Sequence, residues 1–492
     1  MINRRNLLVG GALSGAALAV TATPALNALA GGPPGTPGGH HGHGPGHGPK
    51  PKPKPSGTPP TGGPFRVLMP LPPVAAPIRT RGGVDHYSFP IVQTTAELLP
   101  GVRTPVLSYG GRFIGPTIRA RAGRPVSVEY RNQLGVPANV HLHGGHVAPE
   151  HDGHPMDVIK PGKSRVYEYP NRQRGTTLWY HDHSHHTEAE HVFRGLHGFY
   201  LIDDPQERHL RLPEGQYDVP IMLRESRFDE KGNLYFDPFD FDRPVVLVNG
   251  RSQPYFPVAA RRYRLRLLNA STHGTLTLRL DGLPMVQVGS DGGLLPKPVR
   301  LTELTLGPAE RADVVVDFSK RRVGSKVVLE EARGPVLRFD VTREARDNSR
   351  VPDTLRSLPP MPKSTVNREV VLSTDFNTIE SLINGKLWDP NRIDATIRHG
   401  ATETWRITNV DTDFGGVNHT FHLHLVQFRV LDRNGRPPAP NERGLKDTVF
   451  IAPGDSVRVQ ATFSGFLGRY VYHCHMLEHS AYGMMAQMQI VR

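Results

Sequence analysis

Residues His473–Met485 read HCHMLEHSAYGMM and follow directly on Arg469-Tyr470-Val471-Tyr472. Tyrosine and valine favour extended chain, so the segment is predicted to enter its motif as a β-strand. Successive side chains on a strand point to opposite faces. If His473 and His475 project together from one face, Cys474 between them projects from the other and can ligate a separate metal. Cys474 is the only cysteine in 492 residues, so no intramolecular disulfide can claim it, and ligation as a thiolate gives it a role other than oxidation. Two imidazoles, one thiolate and a weak thioether form the donor set of a blue-copper electron-transfer site. His419, His479 and Met484 are available to complete it.

Three further clusters stand upstream: His141-Leu142-His143-Gly144, His181-Asp182-His183, and His419-Thr420-Phe421-His422-Leu423-His424. Each contains an i, i+2 pair, which a strand would present from one face. Four such strands could surround one metal cluster with eight imidazole nitrogens. Thr177-Leu178-Trp179-Tyr180 leads into the second pair and is strand-prone as well. A lone His-X-His is often a surface pair; the conjunction of four, one of them holding the sole cysteine, carries the inference. A nucleophilic cysteine needs a single base and leaves the other pairs unexplained. Zinc suits this mixture of thiolate-thioether and all-imidazole sets less well than copper does.

Outward from these motifs the pattern is short strands with turn punctuation. Val126, Val128 and Tyr130 alternate with polar neighbours, as do Val457 and Val459, and Val314, Val315 and Val316 form a β-branched run. Ala122-Gly123-Arg124-Pro125, Gly307-Pro308 and Ala452-Pro453-Gly454-Asp455 supply turns. An all-β chain of several antiparallel sandwiches or Greek-key barrels in series is predicted. At roughly 150 residues per domain the length accommodates about three. They are placed at 65–205, 206–365 and 366–492, with a proline-rich linker over 348–364. The formal net charge is +13, yet no Lys/Arg run is interleaved with aromatics, so a solvated basic surface is expected and nucleic acid is not a predicted partner.

Residues 1–30 begin Asn3-Arg4-Arg5-Asn6-Leu7-Leu8, continue through an Ala/Gly-rich stretch and end in Ala28-Leu29-Ala30. This resembles a twin-arginine signal peptide with a small-residue cleavage site. The stretch is too weakly apolar for the roughly 20 residues a membrane span needs, and no later segment reaches that length, so no permanent span is expected. The twin-arginine export machinery becomes a partner, and an extracellular, cell-envelope or periplasmic location follows. Residues 31–64 are almost entirely Gly, Pro, His, Lys, Thr and Ser. They cannot bury enough apolar area to offset their ordering entropy and are predicted to be a disordered tether. Its histidines could collect copper; a solvated spacer is the preferred reading.

The four histidine motifs, two in the first predicted domain and two near the C-terminus, resemble those of the multicopper oxidases. Within that family HCHMLEHSAYGMM is similar to the bacterial laccase, bilirubin oxidase and spore-coat laccase branch, as is Gly289-Ser290-Asp291-Gly292-Gly293-Leu294-Leu295-Pro296. The likeness extends from about Phe65 to Arg492. It implies three consecutive cupredoxin-like domains and four copper ions. His419, Cys474, His479 and axial Met484 would hold the type 1 copper, and His141 and His422 the type 2 copper. His143, His181, His183, His424, His473 and His475 would hold the type 3 pair. Electrons would pass from Cys474 to His473 and His475.

Two acids serve proton delivery in that family. Asp152, in His151-Asp152-Gly153, matches one of them. The position after His479, acidic in close relatives, is Ser480 here. Serine is no carboxylate relay, which leaves Glu478, a neighbouring histidine or water as the alternatives.

The expected partners are dioxygen, reduced to two waters, and a small reducing substrate, with phenols and aminophenols preferred. A metallo-oxidase acting on Cu(I) or Fe(II) in copper tolerance is the rival. The additional histidines His185, His186, His191 and His197 keep it open, whereas a Met-rich insertion for soft Cu(I) is lacking. A copper-storage protein would need no intersite electron path, and a two-domain nitrite reductase fits neither the length nor the His-Cys-His order. A three-domain chain can build the whole cluster between its own first and third domains, so a monomer suffices.

Overall fold

The computed structural model describes residues 63–492. The predicted signal peptide, and all but the last two residues of the predicted tether, lie outside the described residues. Within them the regular structure is mostly β-strand, and its six sheets succeed one another in pairs.

The first pair joins Val84–Ala96, Val126–Asn132 and Ser164–Tyr169 on one side and Gly115–Arg121, His197–Asp203, Thr176–His181 and His141–His143 on the other. The second pair lies between Asp218 and Glu344, and the third between Val366 and Val491. Each pair encloses its own apolar core. Val128, Tyr130 and Tyr180 belong to the first, Val314 and Val316 to the second, Val457, Val459 and Cys474 to the third. The alternating residues that predicted strands are therefore the inward-facing ones. The stretch 348–364 carries no strand or helix, but it is pinned: Arg356 donates to Gly175 O at 2.7 Å and Gly292 O at 2.9 Å.

Strand register explains how distant motifs converge. In the first pair of sheets His141 stands opposite His181 in an antiparallel ladder, and in the third His422 stands opposite His473. The same register sets Phe421 opposite Cys474, so His419, Phe421 and Cys474 share one face while His422 and His473 share the other.

The expectation that each i, i+2 pair lies on a strand holds fully for His141–His143 alone. His183, His424 and His475 each sit beyond the end of the strand that carries their partner. The cluster draws its histidines from two domains, and the second histidine of these pairs comes from chain that is already leaving its ladder. Two short helices follow the motifs: α1, Glu188–Arg194, and α2, Leu477–Ala481.

Candidate metal centres

Two groups of buried ligand side chains result. In the third domain, His419 Nδ1 lies 3.2 Å from His479 Nδ1, and Cys474 Sγ lies 3.6 Å and 3.7 Å from these two atoms. The three atoms are spaced so that one ion between them would touch all three. Asp411 Oδ2 accepts from His419 Nε2 at 2.9 Å and fixes that ring. The Thr420 N–H points at Cys474 Sγ at 3.4 Å. Met484 is fully buried in the same core, and its carbonyl accepts from the Cys474 N–H at 3.1 Å.

The second group gathers His141, His143, His181, His183, His422, His424, His473 and His475 between the first and third domains. Their ligand atoms fall into the triads His143–His181–His475 and His183–His424–His473, with His141 and His422 grouped beside His143. All eight are buried. Six hold one ring nitrogen against a protein acceptor. His141 Nδ1 meets Asp152 O at 2.6 Å, His143 Nε2 meets Asp447 Oδ1 at 3.0 Å, and His181 Nδ1 meets Asp182 O at 2.8 Å. His422 Nδ1 meets Asp447 O at 2.7 Å, His424 Nδ1 meets Asp152 Oδ2 at 2.7 Å, and His473 Nδ1 meets Cys474 O at 2.9 Å. An outer nitrogen fixed in this way leaves the inner one as a lone pair aimed at the centre.

The inner nitrogens crowd together: His183 Nε2 and His473 Nε2 are 3.2 Å apart, His424 Nε2 and His473 Nε2 3.3 Å, and His475 Nε2 and His181 Nε2 3.4 Å. His141 Nε2, His143 Nδ1 and His422 Nε2 have no hydrogen-bond partner. Burial, reinforced by the neighbouring imidazoles, holds His424, His473 and His475 well below the ordinary histidine range. Neutral lone pairs converging without a donor between them are unfavourable unless a cation sits there.

Three stretches, 91–207, 241–325 and 357–492, match family profiles described as multicopper oxidase. The laccase of Bacillus subtilis is 34% identical, with 87% of this chain and 98% of that protein covered. The chain belongs to the multicopper oxidases. A crystal structure of a laccase from Pediococcus acidilactici superposes with a TM-score of 0.82 at 32% identity, covering 87% of this chain and 94% of the other. A Campylobacter jejuni multicopper oxidase, described as a metallo-oxidase, gives 0.77 at 26% identity over 87% and 96%. The three sheet pairs are thus cupredoxin-like domains, and the oxidase is a copper-dependent oxidoreductase with oxygen as acceptor. The donor set fits copper: thiolate with imidazoles at one centre, imidazoles alone at the other.

The supporting residues of this oxidase come from all three domains. Asp152 bridges two of them, because its carbonyl holds His141 while its carboxylate holds His424. Burial pushes that carboxyl well above the usual range. The next residue, Gly153, has φ +79°, and a Cβ there would lie 2.2 Å from Val140 O, so only glycine lets the loop press Asp152 against the cluster. Gly144 similarly leaves room for Asp447, whose Oδ2 would be 2.4 Å from an added Cβ. Arg311, from the middle domain, pairs with both Asp447 oxygens at 2.6 Å and donates to Thr177 O at 3.0 Å.

Of the groups considered in place of a carboxylate at 480, Glu478 turns to another task. It accepts from Arg243 Nη2 at 2.5 Å and Thr272 Oγ1 at 2.8 Å beside His479. Ser480 Oγ instead donates to Glu188, a fully buried acid on α1. The extra histidines have structural contacts. His191 pairs with Asp182 at 3.2 Å, His197 meets Arg224 at 3.3 Å, and His185 lies tilted against His186 with centroids 3.6 Å apart. Sequence reading missed Asp411, Asp447, Arg311 and Glu188. Only Glu188, five residues after His183, carries a local signal.

A cleft opens beside His479, lined by Phe239, Phe241, Phe376, Ile379 and Tyr482 with His273 at its base. His273 stacks on Phe241 at 4.0 Å and 18°, and meets His479 edge-on at 5.5 Å.

Proposed function

We propose that this oxidase is laccase-like, coupling four one-electron oxidations of phenolic or aminophenolic donors to the reduction of dioxygen to two waters. The observation that carries this reading is the cleft at His479. Its wall is aromatic, suited to a flat ring, and the one carboxylate beside it, Glu478, is engaged by Arg243. Among the described residues, every group of three or more histidine, cysteine, aspartate or glutamate side chains close enough to share an ion belongs to the two metal centres or to Asp152 beside them. Capture of Fe(II) as a donor would call for such a group on the cleft wall.

The site assignment is part of the same proposal. His419, Cys474 and His479, with the thioether of Met484, would hold one type 1 copper. His141 and His422 would hold the type 2 copper, and the triads His143–His181–His475 and His183–His424–His473 the type 3 pair. Copper bound there supplies one-electron acceptance at the first centre and oxygen reduction at the second. His479 and the cleft position the donor. The backbone linking Cys474 to His473 and His475 joins the two centres covalently. Asp152 orients His141 and His424, and the aromatic core around the first centre excludes water.

Export by the twin-arginine route, a monomeric state and domain limits near 205 and 365 complete the reading. They are supported by Arg4-Arg5, by the first and third domains jointly enclosing the cluster, and by the sheet pairs. Among the described residues no helix is long and apolar enough to cross a membrane.

Oxygen uptake by copper-loaded enzyme tests the donor class, with a diphenol, bilirubin, Cu(I) and Fe(II) compared at equal concentration. The diphenol is expected to give the highest kcat/KM. A higher value for either metal ion would replace the laccase-like reading with the metallo-oxidase one.

A further inference from the structure

Of the eight cluster imidazoles, His183 and His475 alone lack a protein acceptor at hydrogen-bond distance on their outer nitrogen. His475 Nδ1 has no group assigned to it, but His183 Nδ1 faces the Glu188 carboxylate, with Oε2 at 3.5 Å. Glu188 is 0% exposed, and so is Ser480. Its Oε1 is occupied by the Ser480 hydroxyl, whereas Oε2 has no hydrogen-bond partner. A buried carboxylate with one free oxygen and a buried imidazole with one free nitrogen therefore face each other across a gap that a small rotation closes. An unpaired buried carboxylate oxygen is costly, which favours that closure.

We propose that Glu188 is a positioning residue of the oxygen-reducing centre, orienting His183 from the first domain while its other oxygen is anchored on Ser480 of the third. This rests on the assignment of His183 as a copper ligand. It also explains residue 480. An acid there, as the family resemblance leads one to expect, would set two buried carboxyl groups within hydrogen-bond distance and force one of them to stay protonated. A hydroxyl donates to Glu188 instead. Positions 188 and 480 thus form a pair in which one supplies the carboxylate and the other the donor. Because α2 carries both Ser480 and His479, the pair also ties the helix of His479 to α1.

The experiment uses the full copper-loaded chain and reads total copper, blue absorbance and the EPR-detectable fraction of the copper, besides kcat. A coupled type 3 pair is EPR-silent, so misplacing His183 raises the detectable fraction or lowers total copper. Glu188→Ala is expected to do one or the other and to reduce kcat about 10–100-fold, the usual effect of losing an outer partner of a metal ligand, with the blue absorbance retained. Glu188→Gln keeps a carbonyl acceptor and is expected to stay within about 3-fold of the parent. Ser480→Glu alone is expected to lose at least about 10-fold, and Glu188→Ser combined with Ser480→Glu to recover most of it. Should Glu188→Ala prove insoluble, the Gln variant and the exchange pair decide. An unchanged EPR fraction and copper content in Glu188→Ala, or additive losses in the exchange pair, would overturn the proposal. An unchanged copper content and EPR-detectable fraction in His183→Ala would instead overturn the ligand assignment beneath it.

Discussion

Arg311 of the middle domain grips Asp447 of the third through two parallel 2.6 Å hydrogen bonds, and neither side chain reaches solvent. Asp447 in turn holds His143 of the first domain at 3.0 Å. The middle domain supplies no cluster histidine, yet it sets the position of one. Burial alone would depress the Arg311 charge, but Asp447 and Asp291 outweigh it. Replacing Arg311 with Met strands the Asp447 carboxylate in the interior. The expected loss is about 3–5 kcal/mol, as for breaking one side of a buried pair, seen as a lower urea midpoint. Arg311→Lys cannot restore the fork geometry and should recover only part of it.

Cys474 and its two neighbours allow the centres to be separated by mutation. Cys474→Ser should abolish blue colour and turnover together. His475→Ala should leave a blue centre that still accepts one electron from a reductant while oxygen uptake collapses. Met484→Leu should keep oxygen reduction and shift the potential of the blue centre, because an axial thioether is a weak ligand. Redox titration with parallel oxygen uptake checks all three, and a colourless His475→Ala that still consumed oxygen would reverse the assignment of faces.

In the cleft, Phe241 supports His273, which meets His479 edge-on. Removing the ring in Phe241→Ala should raise KM for a diphenol about 3–10-fold, the equivalent of one aromatic contact. The blue absorbance should stay unchanged. A lower kcat at constant KM would mean that the ring serves electron transfer, not docking.

Acid sensitivity should begin at the joint between the first two domains. Asp218 takes two hydrogen bonds from Arg266 at 2.6 and 2.9 Å and one from Arg119 at 2.7 Å. Burial works to raise its pKa, but Arg266, Arg264 and Arg119 prevail and hold it below the ordinary carboxylate range. A depressed folded-state value gives stability that is complete above the unfolded value of about 4 and is lost as pH falls through the folded one. Urea midpoints should therefore drop below pH ~4, and Asp218→Asn should flatten that limb while lowering stability at neutral pH.

The leader and tether are expected to be separable from catalysis. Changing Arg4 and Arg5 to Lys should block export yet leave cytoplasmic enzyme active after copper loading. Deleting residues 31–64 should leave diphenol turnover nearly unchanged. A large loss at saturating copper would make the tether part of the catalytic unit.

How much of this was legible in the sequence follows from how local each constraint is. Strand alternation set Cys474 against His473 without any structure, because the period of two acts within three residues. Asp447 and Arg311, which hold His143 in place, were invisible for the opposite reason. Asp447 meets His143 across 304 positions, and Arg311 meets Asp447 across 136. No spacing rule reaches that far. His183, His424 and His475 were predicted on strands because the period was extended past the point where the ladders end, at the boundary between domains. Ser480 looked like a missing acid until the fold brought Glu188 against it from 292 residues away.

The cluster is also a joint. The triads His143–His181–His475 and His183–His424–His473 each draw on both the first and the third domain, so neither domain would bind an ion there alone, and an ion bound there would rivet the two together. Metal affinity and domain docking are then one free energy measured in two ways: copper stabilises the closed arrangement by mass action, and chelation weakens the seam between those domains before it touches either hydrophobic core. Heating the copper-free oxidase should split what is one transition in the loaded enzyme into two, the first being the parting of its ends.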